Sequence, residues 1–403
     1  MRPRALPAIA LAFLALGPAA LQRRVDRARP ADSPGARLEQ LRQEERGPHP
    51  PSPQDAAARL GAIGQEYVRS GEIERAIEVF AEAARRDPSS GENLARGTLA
   101  YLDHGDFEFA RATLEIAAGR ADLRPAPAVL YAAIAERFAS ANQLEDAVVA
   151  WELAENAEGG NPAIAARLER ARRELSVTPG QRLLQGERFA IYSDAAVPEP
   201  VVRDIEAHLE REYVRQRDFF AAADLPAAQV VLLYAGRRFF SLVAVPDWVS
   251  GVFDGKIRIS VDPDAGFTPE VRSVLSHELA HAWIRFVAKE PAAAWLHEGL
   301  AQWCEGRRIP RKDFPHAFAR HKVFSLAEME RNFARRADLG AARASYLEAL
   351  GIVEYLVSSR GDGALVCLLR DLGEGIETEE ALRRETGLTG GELVSRWRAW
   401  AGV

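Results

Sequence analysis

A set of positions that returns every 34 residues constrains the fold of this chain more than any other pattern in its sequence. From Ala57 onward, small residues fall where two helices would approach each other, and aromatic residues fall where they would fill the gap. The first unit holds Leu60, Gly64, Tyr67, Gly71, Ala76, Phe80, Ala83 and Pro88, and the second holds Leu94, Tyr101, Gly105, Ala110, Leu114 and Ala117. The pattern predicts stacked helix pairs that form a short superhelix.

This spacing resembles the tetratricopeptide repeat, and a weaker third unit begins near Ala128. That unit holds Tyr131, Phe138, Ala147, Trp151 and Ala154. An amphipathic helix over residues 163–175 would then close the array, which we assign to residues 56–176. The resemblance implies a concave face on which a protein partner could lie. The alternative is that the repeats form a rigid spacer or dock onto the enzyme domain.

The first residues resemble an export signal. Arginines precede an apolar run over residues 5–21, and small residues stand near the end of that run. We interpret residues 1–21 as a signal peptide or a membrane anchor, which predicts an exported protein, periplasmic or extracellular, with a membrane tether through residues 5–21 if the leader is retained. Residues 22–55 are rich in arginine, proline and glutamine, and we expect a disordered linker there.

The charge and cysteine content exclude several functions. A formal net charge of −6 and a pI of about 5.9 provide no basic field for a phosphate backbone, so nucleic acid is not an expected partner. Cys304 and Cys367 are too few for a disulfide scaffold. One bridge is conceivable in an exported protein, but two buried free thiols are the interpretation that we favour.

The composition changes at Pro179 and Gly180, where short alternating runs replace the helix pairs. Residues 189–192 and 230–234 read as strands with a helix over 201–220 between them, and residues 248–253 and 256–261 flank an Asp254-Gly255 turn. We therefore predict a multidomain chain in which an all-α superhelix precedes an α+β domain over residues 177–403. The strand that precedes the next helix is expected to lie at a sheet edge beside a cleft, where an extended peptide could pair with it; the alternative is an ordinary sheet strand whose edge is covered by a loop.

That next helix carries the sequence His277-Glu278-Leu-Ala-His281, opened by Thr268 as N-cap and a proline at its first position. Residues four apart lie on one helix face, so both imidazoles can reach one metal ion, while Glu278 faces whatever the metal binds. Two histidines in an apolar helix are costly without such a partner. Two histidines and one carboxylate would leave a fourth zinc position open for water, which is the arrangement of catalytic sites.

The candidates for the third ligand are Glu298, His297, Glu305, His316 and His321. Glu298 lies on a short helix predicted after Pro291, and it is the candidate that we favour. His297 would point about 100° away from it, toward the surface or the substrate.

The segments HELAH and WLHEGLAQW resemble the gluzincin zinc peptidases over residues 187–369. The resemblance implies Zn²⁺ bound by His277, His281 and Glu298, with Glu278 as general base. Relatives often carry an acid four residues after the third ligand, where this chain has Gln302. Ile284 and Val287 occupy positions where metzincins need glycine and histidine, which excludes that family.

Tyr346 resembles the tyrosine that opens a helix in the related aminopeptidases and donates to the oxyanion; the alternative is a packing tyrosine. Tyr355, nine residues on, is expected in the core. No amine clamp of the aminopeptidase type is present, since residues 250–254 read Ser-Gly-Val-Phe-Asp. The sequence thus favours a zinc endopeptidase acting on peptides or proteins, with the repeats recruiting substrate or partner. The alternative is a non-catalytic zinc-binding scaffold.

Overall fold

The computed structural model describes residues 33–177, 180–236, 239–240, 249–289, 292–318, 323–334 and 339–403. The chain divides into two compact units, residues 1–179 and 180–403. The signal or anchor prediction for residues 1–21 lies outside the described residues. Within the described part, no helix is long and apolar enough to cross a membrane.

The described residues of the N-terminal unit form helices, apart from one isolated β-bridge between Ser90 and Arg124. Its helices are α1 (Pro34–Glu45), α2 (Pro53–Arg69), α3 (Ile73–Arg86), α4 (Gly91–His104), α5 (Phe107–Gly119), α6 (Ala128–Ser140), α7 (Leu144–Ala157) and α8 (Pro162–Val177). Helices α2 to α7 form three successive pairs, and α8 packs on α7. Gly64 shows why small residues recur, because a Cβ there would lie 2.7 Å from the ring of Phe80. The helix pairs are observed, and their assignment to the tetratricopeptide family stays a prediction.

Helix α1 differs from the disordered linker expected over residues 22–55. Ser33 caps it, since its Oγ accepts a hydrogen bond from the Ala36 N–H at 3.2 Å, and proline occupies the first turn. Leu41 is buried against α2, and Glu45 forms an ion pair with Arg86 of α3. Tertiary contacts therefore hold a segment whose own periodicity is too weak to predict a helix.

The described residues of the C-terminal unit form a five-stranded sheet and many helices. The strands are β1 (Arg182–Gln185), β2 (Phe189–Ser193), β3 (Gln229–Ala235), β4 (Gly251–Phe253) and β5 (Ile257–Val261). The helices are α9 (Glu199–Phe220), α10 (Pro269–Ala288), α11 (Ala294–Cys304), α12 (Phe314–Phe318), α13 (Leu326–Ala334), α14 (Leu339–Arg360), α15 (Asp362–Gly373), α16 (Thr378–Thr386) and α17 (Gly390–Ala401). A mixed sheet inside a helical unit agrees with the predicted α+β class.

The sheet order is β1-β2-β3-β5-β4, with β2, β3 and β5 parallel and both outer strands antiparallel to their neighbours. Ile191, Val231 and Ile257 align across the three parallel strands and belong to the main core of this unit. The strand before the helix of His277 and His281 is expected from the sequence to form a sheet edge. That expectation is wrong, because this strand, β5, pairs with β3 on one side and with β4 on the other. The edge beside the cleft is β4.

The hairpin between β4 and β5 also differs in detail from the prediction. Phe253 pairs with Ile257, so three residues connect the strands instead of the predicted Asp254-Gly255 pair. Gly255 has a φ of 100°, a left-handed conformation that favours glycine.

The two cysteines do not pair. Cys304 is buried at the end of α11, where burial raises the pKa of its thiol to about 12. Cys367 lies on the exposed face of α15. The prediction of two free thiols is confirmed, and the expectation that both are buried is wrong for Cys367.

Candidate metal centre and active-site cleft

Helix α10 fixes three of the site residues at its centre. Its start is the one that the sequence predicts, since the Thr268 Oγ1 accepts a hydrogen bond from the Val271 N–H at 3.3 Å. Leu279 and Trp283 anchor the helix in the core. With that face buried, the residues four apart on another face, His277 and His281, are presented together.

Helix α11 brings Glu298 to the same place. It begins at Ala294, and the sequence predicts a helix that starts after Pro291. Its close approach to α14 depends on Gly299, the residue that follows Glu298. A Cβ on Gly299 would lie 2.6 Å from the carbonyl oxygen of Ala349 and 2.8 Å from Val353. The glycine of the HEG sequence therefore allows the backbones of α11 and α14 to touch.

The three predicted ligands converge. Glu298 Oε2 lies 3.4 Å from His277 Nε2 and 3.7 Å from His281 Nε2, and one ligand atom from each residue lies within 4.8 Å of the others. These distances are long for hydrogen bonds, and Glu298 Oε2 is a buried oxygen with no well-formed partner among the described residues. A divalent cation between the three atoms would supply that partner. The donor set of two imidazoles and one carboxylate suits zinc.

The ionisation of these groups follows their burial and mutual contacts in the metal-free chain. Burial opposes a charge on His277, but contacts with Glu298 and Glu305 outweigh it and raise the pKa of that imidazole to about 10. Burial lowers the pKa of His281. Burial also opposes charge on Glu298, yet His281 and His277 outweigh it and lower its pKa to about 2. The centre thus holds an ionised carboxylate between two imidazoles.

The environment of Glu278 shifts its pKa in the opposite direction from that of Glu298. Burial, with repulsion from Glu298 and Glu305, raises the pKa of its carboxyl to about 8. The carboxylate lies against the edge strand, because a Cβ on Gly251 would lie 3.0 Å from Glu278 Oε1 and would overlap Val274. A buried carboxyl with a raised pKa, beside the three candidate ligands, is suited to accept and return a proton.

A cleft of about 460 Å³ opens beside this centre. Its walls come from the segment that leads into β4, from α10, from the end of α11 and from α14. The lining residues are Val249, Ser250, Gly251, Val274, His277, Glu278, Gln302, Glu305, Arg307, Arg343, Tyr346 and Leu347.

Tyr346 lies in the cleft wall, within α14 rather than at the start of a helix as expected. Its ring packs edge-on against Phe333 with centroids 5.0 Å apart, and its backbone carbonyl accepts a hydrogen bond from Gln302 at 2.7 Å. The residue therefore has both a packing contact and access to the cleft. Tyr355 packs against the core near Trp400, as predicted.

The remaining ligand candidates occupy other positions. His297 stacks face to face on His281, with ring centroids 4.4 Å apart, instead of pointing to the surface. Glu305 contacts His277 at Nδ1, on the opposite side of the ring from Glu298. His316 is exposed on the short helix α12, and His321 lies outside the described residues.

Sequence reasoning missed three neighbours of the site. These are the contact of Glu305 with His277, the stacking of His297 on His281, and the approach of Gly251 to Glu278. The first two depend on the angle between α10 and α11, and the third depends on the pairing of β4. The one available signal was the charge of Glu305 shortly after a predicted ligand.

The comparison with known proteins gives one family. Residues 233–402 match the family model of the Peptidase MA superfamily, whose members are generally zinc-dependent, and no curated protein matches the chain. The matched region contains α10, α11 and α14, which carry the whole candidate centre. The match supports a zincin-like peptidase domain over these residues.

Proposed function

We propose that the C-terminal unit is a zinc-dependent endopeptidase. The observation that carries the proposal is the convergence of one ligand atom from each of His277, His281 and Glu298 within 4.8 Å, with Glu278 on the same helix as the two histidines. Such a set leaves a coordination position for water, unlike the closed sets of structural zinc sites. The family match over the same residues supports peptidase chemistry.

Zinc held by His277, His281 and Glu298 would lower the pKa of a bound water and polarise the substrate carbonyl. Glu278 accepts the proton of the attacking water and later returns it to the leaving amine. The close approach of Gly251 keeps this carboxylate buried beside the edge strand, which favours proton return over loss to solvent. The phenol of Tyr346, in the cleft wall, donates a hydrogen bond to the developing oxyanion.

The substrate is a peptide or protein held in extended form along β4. This strand is an edge of the sheet, and Val249 and Ser250, which come just before it in the chain, line the cleft. An extended chain can add to such an edge through backbone hydrogen bonds, with little demand on its side chains. Residues 250–254 read Ser-Gly-Val-Phe-Asp and do not resemble the amine clamp of the aminopeptidases, which favours cleavage within a chain.

Metal analysis combined with digestion tests this proposal. The purified protein should contain about one zinc per chain, and Glu278→Gln should retain zinc while losing cleavage of casein. Glu298→Ala should lose zinc, whereas His316→Ala, on the exposed face of α12, should not. Glu374→Gln, an exposed change on another helix end, controls for loss of charge. Zinc binding without cleavage of any member of a broad peptide library would instead favour the non-catalytic scaffold.

For the N-terminal unit we propose binding of a substrate or protein partner by the repeat array. A pocket of about 490 Å³ opens there between α2 and α4. Its lining includes the amides of Gln54, Gln65 and Asn93 and the guanidinium of Arg96, groups that pair with the peptide backbone.

Comparison of two substrates tests the role of this pocket. Asn93→Leu in the full chain should slow cleavage of casein while leaving a short peptide substrate unaffected. Glu115→Gln, an exposed change on α5, is the control. Equal loss on both substrates would contradict a recruiting role.

We also propose that the protein is exported, with residues 1–21 as a cleaved signal or a retained anchor that tethers it through residues 5–21. Sequencing of the N-terminus of protein recovered from the cell envelope distinguishes the two. A full-length chain found only in the cytoplasm would overturn the proposal.

A further inference from the structure

Gln302 occupies the position where relatives often carry an acid, and both ends of its carboxamide are already engaged. Its Nε2 donates to the carbonyl oxygen of Tyr346 at 2.7 Å and to that of Glu298 at 3.2 Å, while its Oε1 accepts from Arg307 at 3.4 Å. A carboxylate here would face two carbonyl oxygens, which it cannot pair with when ionised. The packing of α11 on α14 therefore suits an amide at this position.

Glu305 supplies the carboxylate from the end of the same helix. It is the residue at the C-cap of α11, and its side chain is 12% exposed. Its Oε2 lies 3.1 Å from His277 Nδ1, whereas His277 Nε2 faces Glu298. The two carboxylates thus contact opposite edges of one imidazole, and only the Nε2 edge belongs to the metal centre.

We propose that Glu305 is the positioning residue of His277, replacing from the next helical turn the acid that position 302 does not provide. Its carboxylate accepts the Nδ1 proton, which holds the ring with the Nε2 lone pair directed at the metal. It also increases the electron donation of that nitrogen, because a negative charge lies behind the ring. The inference rests on the proposed zinc site.

The second imidazole is held differently. His281 Nδ1 is buried and has no hydrogen-bond partner among the described residues, and its ring is fixed by stacking on His297. The two ligand histidines are therefore unequal, and only one of them has a carboxylate behind it. This difference provides an internal control for any spectroscopic test.

The experiment compares Glu305→Gln and Glu305→Leu with the wild type in the full chain. Zinc affinity, measured by chelator competition, should fall about 10- to 100-fold in Glu305→Leu and less in Glu305→Gln, which keeps an acceptor without charge. In the zinc-loaded protein labelled with ¹⁵N-histidine, the Nδ1 proton of His277 should be shifted downfield and protected from exchange. Glu305→Leu should abolish that signal and leave His281 unchanged. Glu374→Leu, an exposed substitution, should alter none of these readings.

A merely structural role for Glu305 predicts a different result. Both variants would then unfold more easily while the zinc affinity and the His277 signal stayed as in the wild type, and this would overturn the inference. Failure of the proposed function is distinguishable, because it appears in the wild type itself, as a protein that takes up no zinc or that binds zinc and cleaves no peptide.

Discussion

The carboxamide of Gln302 donates a hydrogen bond of 2.7 Å to the backbone carbonyl of Tyr346 and so joins the helix that carries Glu298 to the helix that carries Tyr346. Gln302 is buried, and its Nε2 also reaches the carbonyl oxygen of Glu298. The wall of the cleft and the third candidate ligand are thus linked through one side chain.

Gln302→Glu should destabilise the protein, because the substitution replaces a buried donor with a charged acceptor facing carbonyl oxygens. We expect a loss of about 1–3 kcal/mol in the free energy of unfolding of the metal-free protein, measured by denaturant titration. Gln54→Glu makes the same change at an exposed position of α2 and should be nearly neutral. Equal stability of the two variants would show that the Gln302 hydrogen bonds are dispensable.

Gly299→Ala should separate α11 from α14, since the new Cβ would lie 2.6 Å from a backbone oxygen that cannot move alone. We expect a loss of about 1–3 kcal/mol in unfolding free energy and weaker zinc binding. Gly363→Ala is the matched control, because an added Cβ there meets nothing within 4 Å. That variant should be neutral or up to about 1 kcal/mol more stable. Unchanged zinc affinity in Gly299→Ala would refute the packing argument.

Tyr346→Phe separates the two interpretations of this residue. It removes the phenol but retains the ring contact with Phe333. If the phenol donates to the oxyanion, kcat should fall about 10²-fold or more while the zinc content stays at the wild-type level. An unchanged kcat would leave Tyr346 with a packing role only.

The stability of the metal-free protein should fall as the pH rises from about 7 to about 9, because two groups of the candidate centre, His277 and Glu278, have raised pKa values in the folded state. The contribution of His277 is fully present below 6.5 and is lost as the pH passes through about 10. The contribution of Glu278 is fully present below 4.5 and is lost through about 8. The combined loss should be on the order of a few kcal/mol.

Denaturant unfolding of chelator-treated protein at the two pH values measures this loss. Glu278→Gln removes one of the two titrating groups, so its stability should change less over the same range. A wild type with constant stability, or a variant with the same dependence, would contradict the assignment of these pKa values.

Much of the architecture could be predicted from periodicity. The 34-residue pattern predicts the helix pairs, and alternation predicts β2, β3 and the hairpin. In each of these elements the buried residues recur at the period of the helix or strand, so the local sequence is sufficient. Helix α1 could not be predicted in this way. Its stability comes from Leu41 and from ion pairs to later helices, which a local pattern does not contain.

The same distinction, between local patterns and contacts with distant segments, applies to the candidate site. The four-residue spacing of His277 and His281 predicted that both would share a helix face, and the structure brings Glu298 to them. Metal binding itself stays a prediction. The contacts of Glu305 with His277 and of Gly251 with Glu278 could not be predicted from the sequence, since each depends on how two distant segments cross.

The backbone contact at Gly299 divides the candidate site into two parts. One part is α10, with both histidines and Glu278. The other is the α11–α14 pair, in which the close backbone approach at Gly299 and the hydrogen bond from Gln302 couple the positions of Glu298 and Tyr346. A ligand or partner that shifts α14 would therefore displace the proposed third metal ligand and the proposed oxyanion donor at the same time, because both lie on the two helices that touch at Gly299.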